Sequence, residues 1–190
     1  MMRSQKNQGT HALFNTPFKR ASMNTMHVVA KTMHAEFTRL KPEVFHQLLY
    51  FEDYHNFAKS RFPAAFIDPI LDPILAPFDL TTEDLQIEIA KVTGDHTHYL
   101  HFHTGTEAVC LVMGHDAHVP APSPHALVIL EGRQIPATEY LTVEFPVKTP
   151  HTFTCEEGGS LWFLSIQSPP LVRIENGQPV DDFYLTAYQV

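Results

Sequence analysis

From residue 84 onward the chain is a succession of short apolar runs: LQIEIAKV, HYLHFH, EAVCLVMG, HALVILEG, YLTVEF, SLWFLSIQ, LVRI and DFYLTAY. Several are rich in β-branched or aromatic residues, and Gly, Pro or Asn signals separate them, which is the pattern of strands and turns. Eight such runs in about 105 residues predict a sandwich or barrel rather than alternating βαβ units. ENGQ at 175–178 predicts a hairpin near the end.

The front half reads differently. In KPEVFHQLLYFEDYHNFAKSRF, residues Val44, Leu48, Phe51 and Phe57 are spaced for one or two amphipathic helices, with Pro42 in a first turn. FIDPILDPILAPFDL places Pro69, Pro73 and Pro77 four residues apart, which removes amide donors too often for a continuous helix and predicts a connector of short turns. Residues 1–33 show no sustained periodicity and are expected to be irregular. The expected organisation is an N-terminal extension over 1–33, a helical segment and Pro-rich connector over 34–80, and a β domain over 81–190.

With 190 residues and 44% hydrophobic composition the chain is long enough for one ordinary core. A formal charge of −8 with only 13 Lys and Arg argues against nucleic acid as a partner. The charge is uneven: Arg3, Lys6, Lys19, Arg20 and Lys31 make the first 35 residues +5 with no acid, a floppy extension or, less in keeping with its few Arg and Ser, a transit peptide. No run approaches the length of a membrane span, so no membrane partner is expected. Cys110 and Cys155 lack zinc-knuckle spacing and read as reduced thiols of a cytoplasmic protein.

Candidate chemistry lies in HFHTGTEAVCLVMG, residues 101–114. Alternate residues of a strand share a face, so His101 and His103 project together. A turn through Thr104, Gly105 and Thr106 can return Glu107 beside them, and His151 can approach from a neighbouring strand. Three neutral imidazoles and a carboxylate suit one divalent transition metal, Fe(II) or else Mn, Ni, Zn or Cu. Against this, a chain with 13 histidines can hold an HxH pair by composition alone. His96 and His98 fall on the opposite face, and His115, His118 and His125 in a Pro-rich loop, solvated or part of a lid. Carried onward, the odd-numbered face brings Tyr99, Val109, Leu111, Met113 and Phe153 around the ligands. Tyr99 is either a hydrogen-bond donor to substrate, with Glu107 a base, or barrel filling. Phe163, Ser165 and Gln167 share one face and are the candidates for the cavity's polar groups. Mostly apolar walls suit a small substrate with one or two polar handles.

Taken together, these residues resemble the cupin superfamily. The first cupin motif, G(x)5HxH(x)3–4E(x)6G, is matched by His101, His103, Glu107 and Gly114, with the opening glycine one place early at Gly94. The second, G(x)5PxG(x)2H(x)3N, is matched by Pro146 and His151, while Tyr140, Lys148 and Cys155 stand at its two glycine positions and its asparagine position. The resemblance covers residues 84–175 and implies a jelly-roll barrel, a metal held by His101, His103, Glu107 and His151, and a homodimer. It also implies a metal-dependent enzyme: a non-haem Fe(II) dioxygenase of a small organic substrate, or alternatively a non-redox isomerase, epimerase or lyase, or a small-molecule-binding sensor.

Overall fold

A computed structural model describes residues 18–54, 57–94, 96–97, 100–175 and 178–186. The N-terminal elements are α1 (Met23–Arg39), α2 (Pro42–Leu48), β1 (Phe51–Tyr54), β2 (Phe57–Arg61) and α3 (Ala64–Leu75). The strands that follow are β3 (Gln86–Thr93), β4 (His96–Thr97), β5 (His101–Phe102), β6 (Glu107–Val112), β7 (Leu127–Leu130), β8 (Arg133–Pro136) and β9 (Thr142–Phe145). The chain closes with β10 (His151–Cys155), β11 (Ser160–Ser168), β12 (Val172–Glu175), β13 (Gln178–Asp181) and β14 (Tyr184–Leu185).

The strands form two facing antiparallel sheets. One, next to the helices, has the order β1-β2-β3-β11-β6-β9; the other, which carries the histidines, has the order β14-β5-β10-β7-β8, with β4 also on β10. β12 and β13 pair as the hairpin expected near the end, although Asn176 and Gly177 of its turn lie outside the described residues. The inner faces meet in one apolar cluster that includes Val92, Val112, Val128, Phe153, Leu161 and Phe163. Phe153 and Phe163 stack across the gap at 4.0 Å. Among the described residues no ladder joins the two sheets, so of the sandwich or barrel expected the architecture is a two-layer antiparallel sandwich with no closed barrel.

Strand alternation divides the helix-side sheet cleanly. Ile87, Ile89, Val109, Leu111, Trp162, Leu164 and Ile166 pack outward against the helices, while their neighbours point inward. Helix α1 answers with Met26, Val29, Ala30, Met33 and Phe37, one stripe at helical spacing. The side chain of Ser22 caps its first turn by accepting from Thr25 N at 3.1 Å. The irregular chain expected over 1–33 therefore gives way to helix at Met23; exposed Val28 lies within the same apolar stretch and blurs its period.

Two further expectations are corrected. The helical pattern expected across 41–60 ends at Leu48; Phe51–Tyr54 and Phe57–Arg61 are instead antiparallel strands, and Phe51 packs edge-on against Trp162 at 5.4 Å. Within α2 the buried residue is Phe45, and Val44 is exposed, while Pro42 does occupy the first turn. The Pro-rich stretch is a continuous 12-residue helix, α3, with Pro69 and Pro73 inside it. Spaced by four, both prolines share one solvent-facing side with Ala65, so the carbonyls of Ala65 and Pro69 that lose their amide donors face water. Leu71 and Leu75 anchor the other side.

Phe37 is the centre of the helical layer, stacked on Phe62 at 4.9 Å and edge-on to Phe45 at 5.4 Å. Phe37→Ala is expected to cost about 3–5 kcal/mol in urea denaturation, whereas Val28→Thr at its exposed position should stay within about 0.5 kcal/mol.

Candidate metal centre

The three histidines meet because two sheet neighbours and one tight turn bring them together. His101 on β5 lies directly opposite His151 on β10 in the antiparallel register. His103, two residues on, is tied to the turn preceding β10 by a hydrogen bond from Lys148 N to its carbonyl oxygen at 2.6 Å. That turn is left-handed at Lys148 (φ 62°), as is the turn before β9 at Tyr140 (φ 65°), the two positions at which the second cupin motif carries glycine. The backbone thus keeps the conformation that glycine would ease, in side-chain-bearing residues.

All three rings are buried, and one nitrogen from each lies within 4.8 Å of the others. Ring centroids are 4.3 Å apart for His101 and His151, 5.0 Å for His103 and His151, and 5.4 Å for His101 and His103. His151 Nδ1 donates to the Thr149 carbonyl at 2.9 Å, which fixes Nδ1 as a protonated nitrogen. His103 Nε2 is buried without a hydrogen-bond partner. Burial first, and then the neighbouring His101, push the His103 pKa down to about 4 against the opposing pull of Asp182, so the ring is neutral at physiological pH. Phe145 stacks on His151 at 4.1 Å and Phe183 on His101 at 4.4 Å, walling the rings with apolar faces. Three buried imidazoles whose nitrogens converge fit a transition metal.

Asp182 holds the turn that follows His103. Its Oδ1 accepts from Thr104 N and Oγ1, both at 2.8 Å, and its Oδ2 from Gly105 N at 2.8 Å, with Arg173 Nη1 3.7 Å away. Gly105 serves close approach here: a Cβ would lie 3.1 Å from Arg173 Nη2 and 3.3 Å from Asp182 Oδ2. Burial alone would raise the Asp182 pKa, but the hydrogen bonds from the Thr104 backbone and side chain and from Gly105 outweigh it and hold the carboxyl at about 2.

The expected fourth ligand is not in this cluster. Glu107 sits on the face of β6 opposite inward-pointing Ala108 and Cys110, half-buried, with Oε1 3.9 Å from Arg20 Nη1. Val109, Leu111 and Met113, expected around the ligands, likewise point to the helices. Both corrections have one cause. The alternation of the His101–His103 segment does not carry through the non-strand residues 104–106, and β6 starts with its parity reset.

A cavity of about 500 Å³ opens beside the triad, and Phe153, Phe163, Ser165 and Gln167 do line it. Tyr99 and His98 lie outside the described residues. Further lining residues went unforeseen: Phe145 and Phe183, Cys110, and the charged group Lys59, Arg61 and Glu88. The signal for Glu88 was present in LQIEIAKV, where Gln86 and Glu88 alternate with Ile87 and Ile89 in a strand buried on both faces. Cys110 is a neutral thiol, raised to about 12 chiefly by burial, with Sγ 3.5 Å from Ser165 Oγ; neither it nor Cys155 is in a disulfide.

No family model matches the chain, and no curated protein matches its sequence. Solved structures with partial likeness include KdgF from Halomonas sp., over 64% of this chain and 88% of that one, at 16% identity and a TM-score of 0.45. The polyketide cyclase RemF from Streptomyces resistomycificus aligns over 74% of this chain and 82% of its own, at 13% identity and a TM-score of 0.49. A nucleoside dehydratase of Streptomyces aligns over 76% and 89%, at 11% identity and a TM-score of 0.47.

Because the Asp182 carboxyl is lowered from 3.8 to about 2, its stabilisation is complete above about pH 5 and is lost as pH falls through 2. That difference is worth roughly 2 kcal/mol. Folding free energy measured against pH should therefore drop across this window, and Asp182→Asn should flatten the drop while costing roughly 2 kcal/mol at neutral pH.

Proposed function

We propose that the chain is a metal-dependent enzyme of the cupin type, in which His101, His103 and His151 hold a divalent transition ion and a small polar organic molecule fills the cavity beside it. The observation that carries this reading is the convergence of three buried imidazoles within 4.8 Å on a cavity of about 500 Å³. An all-nitrogen donor set of this kind suits Fe, Zn, Cu or Ni. The bound ion would supply Lewis-acid polarisation of a substrate oxygen.

The chain's own residues do the rest. The Thr149 carbonyl fixes the His151 tautomer, and the Phe145 and Phe183 rings hold the imidazole planes and keep water from their faces. Glu88 places a carboxylate in the same cavity, where it can take up and return a proton. This carboxylate, together with Arg61, Lys59, Ser165 and Gln167, sets charged and hydrogen-bonding groups into otherwise mostly apolar walls and supports non-redox chemistry: an isomerase, epimerase or lyase. The Fe(II) dioxygenase is the second reading, supported by the three imidazoles, which leave a redox ion open positions for substrate.

Purified protein is expected to carry about one equivalent of transition metal per chain by elemental analysis, and His103→Ala should lower metal affinity at least tenfold, by about the loss typical of a disturbed ligand shell. Parent-like metal affinity in that variant would show that the ion sits elsewhere. Substrate-dependent oxygen uptake after anaerobic Fe(II) loading would move the reaction to the oxygenase class; turnover without uptake supports the proton-transfer class.

A further inference from the structure

Away from the histidines, the helix-side sheet presents a polar cluster to the cavity. Ser165 is paired with Glu88 on one side and with Cys110 on the other, and Gln167 with Gln86, so these groups form adjacent rows across β3, β11 and β6. Glu88 is 4% exposed and Gln167 7%. Glu88 Oε1 accepts from Gln86 Nε2 at 2.8 Å and from Gln167 Nε2 at 3.4 Å. Both amide orientations are set by these contacts, because a carboxylate only accepts and because Gln86 Oε1 takes the backbone N–H of Leu171 at 3.0 Å. Gln167 Nε2 is further engaged with Ser165 Oγ at 3.0 Å.

What is left over is Glu88 Oε2 and Gln167 Oε1, two buried acceptors without a hydrogen-bond partner. Arg61 Nε stands 3.8 Å from Oε2, an ion pair longer than a hydrogen bond. Buried acceptors left in this way are costly, and the natural partner is a molecule bringing hydrogen-bond donors. Hydroxyls and ammonium groups both donate, but Lys59 and Arg61 stand against Glu52, Glu88 and Asp181 in the same lining, a near balance of charge that favours donors without net charge. Hydroxyls are the donors that remain.

We propose that Glu88 and Gln167 are the recognition pole for a small neutral polyol, each accepting from one of two neighbouring hydroxyls while the other end of the molecule reaches the histidine triad. This deepens the metalloenzyme reading and depends on it only for that far end. Facing sheets lie ~10 Å apart, and once side chains have taken their share the gap suits a molecule of sugar size.

The test uses the full chain loaded with Zn(II), with erythritol and xylitol as polyol probes and succinate and 1,4-diaminobutane as anionic and cationic ones. Binding is followed by ligand-observed NMR, and zinc content is measured on the same samples. The polyols should bind and the other two should not. Glu88→Gln, which turns the free acceptor into a donor, should weaken polyol binding by about tenfold or more with zinc retained. Gln167→Leu carries the same expectation independently, so a folding defect in one variant does not remove the test. Parent-like polyol binding in a folded, zinc-loaded Glu88→Gln protein overturns the pole and leaves the metal reading standing. Absence of zinc from the parent, with polyol binding still lost in the variants, overturns the metal reading and supports the pole. Binding of succinate or the diamine in place of the polyols, or of no probe at all, overturns the polyol assignment.

Discussion

Strands β3, β6 and β11 lie in the middle of a sheet that has helices on one side and a second sheet on the other, so almost none of their side chains reaches water. On the helix side this burial is largely apolar, from Ile87 and Ile89 through Val109 and Leu111 to Leu164 and Ile166. On the inner side it is not. Val92, Ala90, Leu161 and Phe163 are apolar, and then both strands change character at the same register, Ser165 opposite Glu88 and Gln167 opposite Gln86. Polar groups buried between two sheets are costly unless they are paired with each other or with a ligand. Their concentration at one end of the sandwich separates a packed half from a half built around a cavity.

The histidine triad is the answering feature on the opposite sheet. Its rings are placed by β5 and β10 and by a turn that accepts left-handed geometry at Lys148, and the segment after His103 is clamped by Asp182 from the far end of the chain. The consequence is a cluster of buried imidazoles set by the backbone rather than by contact with one another, which suits ligands that must bind a metal in one geometry. The cavity therefore has imidazole nitrogens on one side and the buried acceptors of Glu88 and Gln167 on the other.

Much of this was legible in the chain. Short apolar runs marked the strands β3, β6, β7, β9 and β11, and the HxH pair with a later histidine marked the three residues that converge. The strand of His151 itself did not stand out, because HTFTC is short and polar at alternate positions. Parity arguments held within a strand, as for Phe163, Ser165 and Gln167, and failed across the turn at 104–106, which put Val109, Leu111, Met113 and Glu107 on the wrong side. Helix α1 was hidden by an exposed valine within its stretch, and α3 by prolines whose cost falls on carbonyls that water can reach. Asp182 could not be foreseen at all: its role is a contact between residues 77 and 78 apart in sequence, with no local pattern behind it.

The most direct measurement is a crystal structure of the protein grown with the metal it retains on purification, with anomalous diffraction collected at that metal's absorption edge. A single anomalous peak at bonding distance, about 2.0–2.2 Å, from one nitrogen of each of His101, His103 and His151, with Glu107 turned away, is the expected result. A peak bonded elsewhere, or Glu107 rotated in as a ligand, would contradict a cavity organised around three imidazoles.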